Sequence, residues 1–227
     1  MVGDGDFSFS LSLATSFQSG ENMVPTTIDS YYDAIEKHKK APGNLELLKQ
    51  LGGQVFHVVD ATTMAANFSL RRRMYDRIIF NFPNARYCED FEAHPDMIMS
   101  HQRLVHGFIG NATKMLQPRT GKVHVTHKTQ YPFNEWELTK IAYQCGLMLF
   151  EYRDFNVGDY PGYTNKRGAG SKPDKPFPLE LSKTFKFLPL GKSLSTSRTI
   201  LHLEVRVAVV GGFLTQENSQ MKNKKDD

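Results

Sequence analysis

Cysteine is scarce in this chain of 227 residues: Cys88 and Cys145 are the whole complement, and they stand far apart. No C-x-x-C pair exists, so no structural zinc site is expected, and a reducing compartment is the simpler setting. The sequence has no run of about 18 apolar residues. It also lacks an opening segment of positive charge followed by apolar residues. Neither membrane spanning nor secretion is therefore expected. A strong excess of one charge is missing too, since 28 Lys and Arg face 24 Asp and Glu, a net charge of +4. That mildly basic balance is compatible with RNA but does not by itself argue for it. No internal repeat is visible.

The apolar share of 40% and aromatic share of 11% suit a folded globular chain. The length suits one domain with a tail, divided here as residues 1–190 and 191–227. Apolar runs alternate with helical patterns, the mark of an α/β fold. Strands are expected at Met23–Asp29, Gln54–Asp60, Asp76–Phe82, Lys122–His127, Leu147–Phe155 and Thr184–Leu188. Helices are expected at Asn44–Leu51, closed by Gly52-Gly53, at Met99–Leu116, and from an Asn134 cap to Cys145. A loop rich in Gly, Pro and Lys runs from Gly158 to Pro178, and a loop of that length in a compact domain is usually functional or disordered. Residues 199–210 alternate like an extra strand, and 222–227 read as a solvated end.

Gly3-Asp4-Gly5-Asp6-Phe7-Ser8 precedes a short helical pattern. Glycines there permit a tight turn and close approach of backbone to a ligand, although a lone G-x-G also marks ordinary turns. The third glycine of the dinucleotide fingerprint is absent, with Ser8 in its place. Asp4 and Asp6 would repel a pyrophosphate at this position and favour a cation. S-adenosylmethionine carries two cationic centres, so the sign of the charge favours it over NAD. Asp29 ends an expected strand 24 residues after Gly5, where an acid typically accepts from ribose hydroxyls. Asp60, followed by Ala61, ends the next and suits an adenine amine, with a backbone N–H for the ring nitrogen. Each acid alone also reads as a cap or turn former.

Asn81-Phe82-Pro83-Asn84 closes the strand DRIIF. A polar residue, an aromatic and a proline at a strand end resemble the planar-nitrogen site of amino-methyltransferases; an Asn-Pro turn is the plainer reading. His124 and His127 are three apart on an expected strand and so point to opposite faces, leaving at most one to share a site with Asn81. Lys128 follows them; a neutral histidine such as His127 is a candidate proton acceptor and a nearby cation would stabilise a nitrogen that ionises, although each histidine is more often structural. Tyr160, Tyr163, Lys166 and Arg167 place aromatics beside cations, the parts of single-strand RNA recognition. Arg71-Arg72-Arg73 reads as a solvated face.

Together VGDGDFSFSLSLA, DATTM, DRIIFNFPN, LVHGF, HVTHKT and DYPGYTNKRG resemble the eukaryotic large-subunit rRNA (uridine-N3) methyltransferases, with their plant branch and their ferredoxin-fold anticodon-binding-domain relatives. The resemblance covers about residues 1–188. It implies a class I, Rossmann-like three-layer sandwich around a mostly parallel seven-stranded sheet, methylation of an rRNA uridine, and action in the nucleolus or nucleus, with the cytoplasm as alternative. The family's cofactor loop falls on Gly3, Asp4, Gly5, Asp6 and Phe7, its acids on Asp29 and Asp60, and its N-F-P-x segment on Asn81 to Asn84. Relatives carry an aliphatic strand before the glycine loop, where only Met1 and Val2 stand here, and the stretch after Leu190 has no counterpart. Both features fit an alternative or truncated product, less stable than longer relatives.

The resulting expectation is an S-adenosylmethionine-dependent enzyme. Asn81, Phe82, Pro83 and His127 are placed at the base, and Gly3, Asp4, Gly5, Asp6, Phe7, Asp29, Asp60 and Ala61 at the cofactor. The partner is ribosomal RNA or a pre-ribosomal particle, with no metal, no membrane and a monomeric state. The rivals are an inactive paralogue that holds RNA or cofactor, and an NAD-linked oxidoreductase, which the acidic loop disfavours.

Overall fold

The computed structural model describes residues 1–85 and 91–190. The expected strand at 199–210 and solvated end at 222–227 lie outside them. Four strands form one mixed sheet: β1 (Arg77–Asn81), β2 (Lys122–Lys128), β3 (Leu147–Asp154) and β4 (Ser182–Pro189), in the order β1-β2-β4-β3. β1 and β2 are parallel, whereas β4 runs antiparallel to both β2 and β3. A mostly parallel sheet of seven regular strands was expected, so this is a correction.

Three further extended segments attach by isolated parallel bridges or single backbone bonds. Val2 bridges Phe80, and Thr26 bridges Phe56. Val2 N donates to Ile79 O at 2.8 Å, Thr26 N to Met1 O at 2.8 Å and Asp4 N to Thr26 O at 3.0 Å. Thr27 N donates to Phe56 O at 3.1 Å, and Val59 N to Thr27 O at 2.9 Å. The strands expected at 23–29 and 54–60 are thus short paired stretches, and Val58 breaks the second by taking φ +56°. The place beside β1 is held by residues 1–4, with Met1 and Val2 both buried.

The helices are α1 (Ser8–Ser16), α2 (Tyr31–Lys37), α3 (Ala41–Gln50), α4 (Pro95–Met115) and α5 (Leu138–Gln144). They cover both faces of the sheet, which explains the unbroken apolar run in β1. Ile78 and Phe80 point into a core built with Val105, Phe108 and Ile109 of α4, while Ile79 points into a second core with Phe7, Phe9 and Leu13. Strand residues alternate between faces, and a strand with both faces buried needs apolar side chains throughout. Val105, Phe108, Ile109, Ala112 and Met115 recur at helical spacing on α4 and are all buried.

Local chemistry sets several boundaries. Gly52, at φ +87°, ends α3 in the left-handed conformation expected of it. Ser30 and Asp33 form a reciprocal cap that starts α2, a helix whose only buried residue is Ala34. The helix expected from Asn134 to Cys145 is divided instead. A 3₁₀ turn at Phe133–Trp136 meets α5 at Glu137, which has φ +51°. Cys145 carries a free thiol. Among the described residues no helix is long and apolar enough to cross a membrane, and no cluster of His, Cys, Asp and Glu could hold a metal ion.

Candidate functional site

The glycine loop lies at the end of residues 1–4 and turns straight into α1. Gly3 has φ +63°, and a Cβ there would stand 2.5 Å from the Phe80 ring, so no larger residue fits without moving that ring. A Cβ on Gly5 would approach the buried His38 ring to 3.2 Å. Both acids of the loop are buried and turned onto α1. Asp4 accepts from Ser10 N at 2.9 Å and from the Ser10 hydroxyl, and Asp6 accepts from Ser8 N at 3.0 Å. Burial pushes the Asp4 carboxyl up to about 6, against the opposing hydrogen bonds from Ser10. From α3, Asn44 Nδ2 donates to Asp6 O at 2.7 Å and fixes the turn.

Gly3, Asp4, Gly5, Asp6 and Asp29 all line one cavity of about 330 Å³, which also reaches Asn81 and Phe82. That is within the size range of small-molecule sites. Asp29 is ion-paired with Lys37 of α2 at the same cavity. Phe7 is wholly buried beneath the loop and starts α1 at φ 63°. Asp60 and Ala61 are placed differently from expectation. Asp60 is exposed and folded onto its own turn, accepting from Thr62 N and Oγ1 at 2.7 Å, while Ala61 is buried in the core. Neither lines this cavity, because an acid two residues before a threonine N–H readily closes an Asx turn.

A second cavity, also of about 330 Å³, adjoins the first. Phe82, Asn84, Lys166, Arg167 and Phe177 line both. Phe82 is held in the left-handed region at φ +48°, a strained conformation for an aromatic, by a bond from its N–H to Thr126 O at 2.8 Å. Its ring packs edge-on against Phe155 and Phe177, at 5.4 and 5.2 Å. Asn81 accepts from Thr126 Oγ1 at 2.6 Å, and its amide nitrogen is buried with no hydrogen-bond partner among the described residues. Pro83 lines only the second cavity.

His127 lines that second cavity, but its environment changes its reading. It packs against Trp136 at 4.3 Å, and His101 stacks on the same indole at 4.2 Å. Burial lowers the His127 ring to about 4, partly offset by its bond to Phe133 O at 2.9 Å. The ring is therefore neutral at pH 7, and it is enclosed, with Nε2 bonded to Phe133 O and its face against Trp136. His124 points to the opposite face, as the strand alternation requires. Burial and then Arg77 lower its ring to about 3.

The loop from Gly158 to Pro178 folds back over the glycine loop. Thr164 N donates to Ser8 Oγ at 3.1 Å, and Thr164 Oγ1 donates to Asp6 at 3.2 Å. Lys166 pairs with Asp174 at 2.8 Å, and Asn165 Nδ2 donates to Phe177 O at 2.6 Å. Tyr160, expected with Tyr163 to stack on RNA bases, is a core residue, and Tyr163 is partly buried against the same core. Tyr160 is buried, 4.8 Å from Phe9 and stacked on Phe155 at 5.4 Å, so its ring faces are taken. Tyr163 packs edge-on to Phe9 and lines the first cavity, and burial pushes its hydroxyl well above the usual range. Lys166 and Arg167 do reach the site. Arg71 and Arg72 lie over Phe68, at 5.0 and 5.8 Å, away from both cavities.

Sequence reasoning did not find Phe177 and Glu180, which enter the second cavity from the loop and its exit, nor Trp136 in its wall. The signal for Glu180 is conformational, a left-handed φ of +48°, and no composition shows it.

Comparison with known proteins gives the same direction. The family model described as BMT5-like, rRNA (uridine-N3-)-methyltransferase BTM5-like, matches residues 1–167. Heavy metal-associated isoprenylated plant protein 41 of Arabidopsis thaliana is 46% identical over 187 residues, which is 82% of this chain and 36% of that protein. An uncharacterized Arabidopsis thaliana protein is 42% identical over 190 residues, covering 82% of this chain and 90% of its own length. The 25S rRNA (uridine(2634)-N(3))-methyltransferase of Saccharomyces cerevisiae is 23% identical over 252 residues, covering 87% of this chain and 73% of the yeast protein. The chain thus spans about a third of the first relative and most of the second. By the match over its first 167 residues, the chain belongs to the BMT5-like rRNA (uridine-N3-)-methyltransferase family.

Proposed function

We propose that this chain transfers the methyl group of S-adenosylmethionine to N3 of a uridine in large-subunit ribosomal RNA. The observation that carries this reading is the pair of cavities meeting at Phe82, one lined by an acidic glycine loop and the other by aromatic side chains. Family membership and the yeast relative's printed activity support the choice of RNA and of N3. An rRNA target implies action in the nucleolus or nucleus.

The residues of the first cavity fit the cofactor. Gly3 leaves room that a Cβ would fill, and Asp4, Asp6 and Asp29 supply negative charge for a ligand with a sulfonium and an amino group. Asp29 would take the ribose hydroxyls in exchange for Lys37. The segments at 1–4, 23–29 and 54–59 bring these residues to one end of the sheet, where ligands of open α/β folds gather. We read them as three further positions of a seven-position sheet beside β1. When bound, the cofactor supplies an electrophilic methyl group.

The second cavity would take the uracil ring. Phe82, Phe133 and Phe177 offer faces and edges for stacking, and Asn81, which lines the first cavity next to the shared Phe82, would offer its amide to the pyrimidine edge. Lys166 and Arg167 bring positive charge to the entrance shared by both cavities, which suits a phosphodiester chain. The test is to incubate the protein with an unmodified transcript of large-subunit rRNA and methyl-labelled S-adenosylmethionine. Label should enter the RNA. Cofactor binding without any label in the RNA would instead identify an inactive, cofactor-holding paralogue.

A further inference from the structure

A uracil N3 carries a proton that must leave before or during methyl transfer, and His127 is buried, with its Nε2 bonded to Phe133 O. We propose that Glu180 is the proton acceptor and that Lys128 stabilises the uracil as it becomes an imidate. This rests on the reading of the second cavity as the uracil site.

Both side chains line that cavity. Lys128 ends β2 and its Nζ lies 3.1 Å from Glu180 Oε2, with Gln130 Nε2 donating to the same oxygen at 2.6 Å. Lys128 is nearly enclosed, at 13% exposure, and its ammonium lies 4.6 Å from the centre of the Phe133 ring. A cation held against aromatic walls and away from water acts strongly on a nearby developing charge. Glu180 is more open, at 35% exposure, so its carboxylate can meet an incoming base and pass the proton to water. Its other oxygen, Oε1, has no partner in this cluster.

Backbone conformation is an independent pointer. Glu180 has φ +48°, and Phe82, which lines the same cavity, has the same value. Non-glycine residues in this region are strained and cluster at functional sites. The loop thus holds an acid in a costly conformation at the place where a base would enter. The other charged or titratable groups lining the cavity are Glu92, His127, Tyr131, Lys166 and Arg167.

In the proposed step, the N3–H bond breaks and its proton moves to a Glu180 oxygen. The nitrogen electron pair forms the new N–C bond, and the pair of the breaking C–S bond stays on sulfur. Lys128 faces the carbonyl oxygens, where negative charge accumulates.

The experiment measures single-turnover methylation of an unmodified large-subunit rRNA transcript by wild type, Glu180→Gln and Lys128→Met, from pH 6 to pH 10. Cofactor binding is measured by calorimetry on the same preparations. Glu180→Gln should lower the rate at pH 7 by roughly 100-fold or more, within the range for general base catalysis. Cofactor affinity should stay within about twofold, and the deficit should shrink as rising pH ionises the uracil without help. Lys128→Met should lower the rate at every pH, least where the uracil is already ionised. A Glu180→Gln rate within about threefold of wild type, or a deficit constant across pH, overturns the assignment while leaving the proposed function intact. A wild type that labels no RNA overturns both.

Discussion

Asp4 stands at the centre of the proposed cofactor site, and its burial has a consequence for stability. Its folded-state value near 6 lies above the ordinary 3.8, so the folded chain holds a proton that the unfolded chain releases. The stability this contributes is complete below about 3.8 and is lost as pH rises through about 6. The displacement is worth at most roughly 3 kcal/mol. Asp4→Asn keeps an acceptor for Ser10 and removes the buried charge. Its melting temperature should exceed that of wild type by a few degrees at pH 7, and the difference should vanish near pH 4. The same variant should bind S-adenosylmethionine more weakly. A difference that ignores pH would show that burial of the charge is not the cause. His127 has the opposite sign. Its ring is lowered from 6.5 to about 4, so stability is complete above 6.5 and declines as pH falls towards 4. Asn81→Ala should reduce turnover by roughly 100-fold with cofactor affinity within about twofold, the pattern for a group that acts on developing charge. Parallel loss of both would make Asn81 a structural residue. At this scale the sequence marks the residues of the glycine loop, because glycines and acids before a helical pattern stand out, and Gly3, Asp4, Gly5 and Asp6 do line the first cavity. It does not mark whether a tyrosine ring is free. Tyr160 sits near Lys166 and Arg167 in sequence but inside the core in space, with Tyr163 partly buried against it.

Two side-chain ties act at the scale of elements, the first away from the cofactor cavity and the second beside it. Asn111 of α4 donates to Thr62 O and accepts from Ala65 N at 3.1 Å, tying the Asp60 turn to the helix. Asn111→Ala leaves both backbone groups unpaired and should cost about 1–3 kcal/mol, seen as a lower urea midpoint at unchanged slope. A cost below about 0.5 kcal/mol would show that water replaces the amide. The second tie holds the loop that crosses the glycine loop. Ser8→Ala removes both bonds of its hydroxyl to Thr164 and should weaken cofactor binding several-fold while α1 itself persists. Unchanged affinity would show that the loop is held without Ser8. Most elements are legible because their side chains face two cores. β1, β2 and α4 lie close to their expected bounds, since an apolar run or a 3.6-residue period survives any neighbour. The segments at 23–29 and 54–60 carry strand-like composition but pair only briefly, and Glu137 interrupts a good helical pattern through backbone conformation alone. α2 was missed because it buries one residue and shows no period, although Ser30 and Asp33 mark its start.

For the whole molecule, the feature that sequence does not show is the meeting of two cavities. It depends on contacts 156 and 158 positions apart, between the glycine loop region and Thr164. Folding brings the acidic loop, the strained Phe82 and the Lys128–Glu180 pair around two adjoining cavities, both lined by Lys166 and Arg167. The division of labour this implies, cofactor on one side of Phe82 and base on the other, is open to direct chemical test. Large-subunit rRNA transcript is incubated with the protein and S-adenosylmethionine, digested to nucleosides, and analysed by mass spectrometry against synthetic standards. The predicted result is N3-methyluridine that rises with time and falls sharply in Asn81→Ala. A methyl group on another atom or another base, or no methylated nucleoside beyond the control, would contradict it.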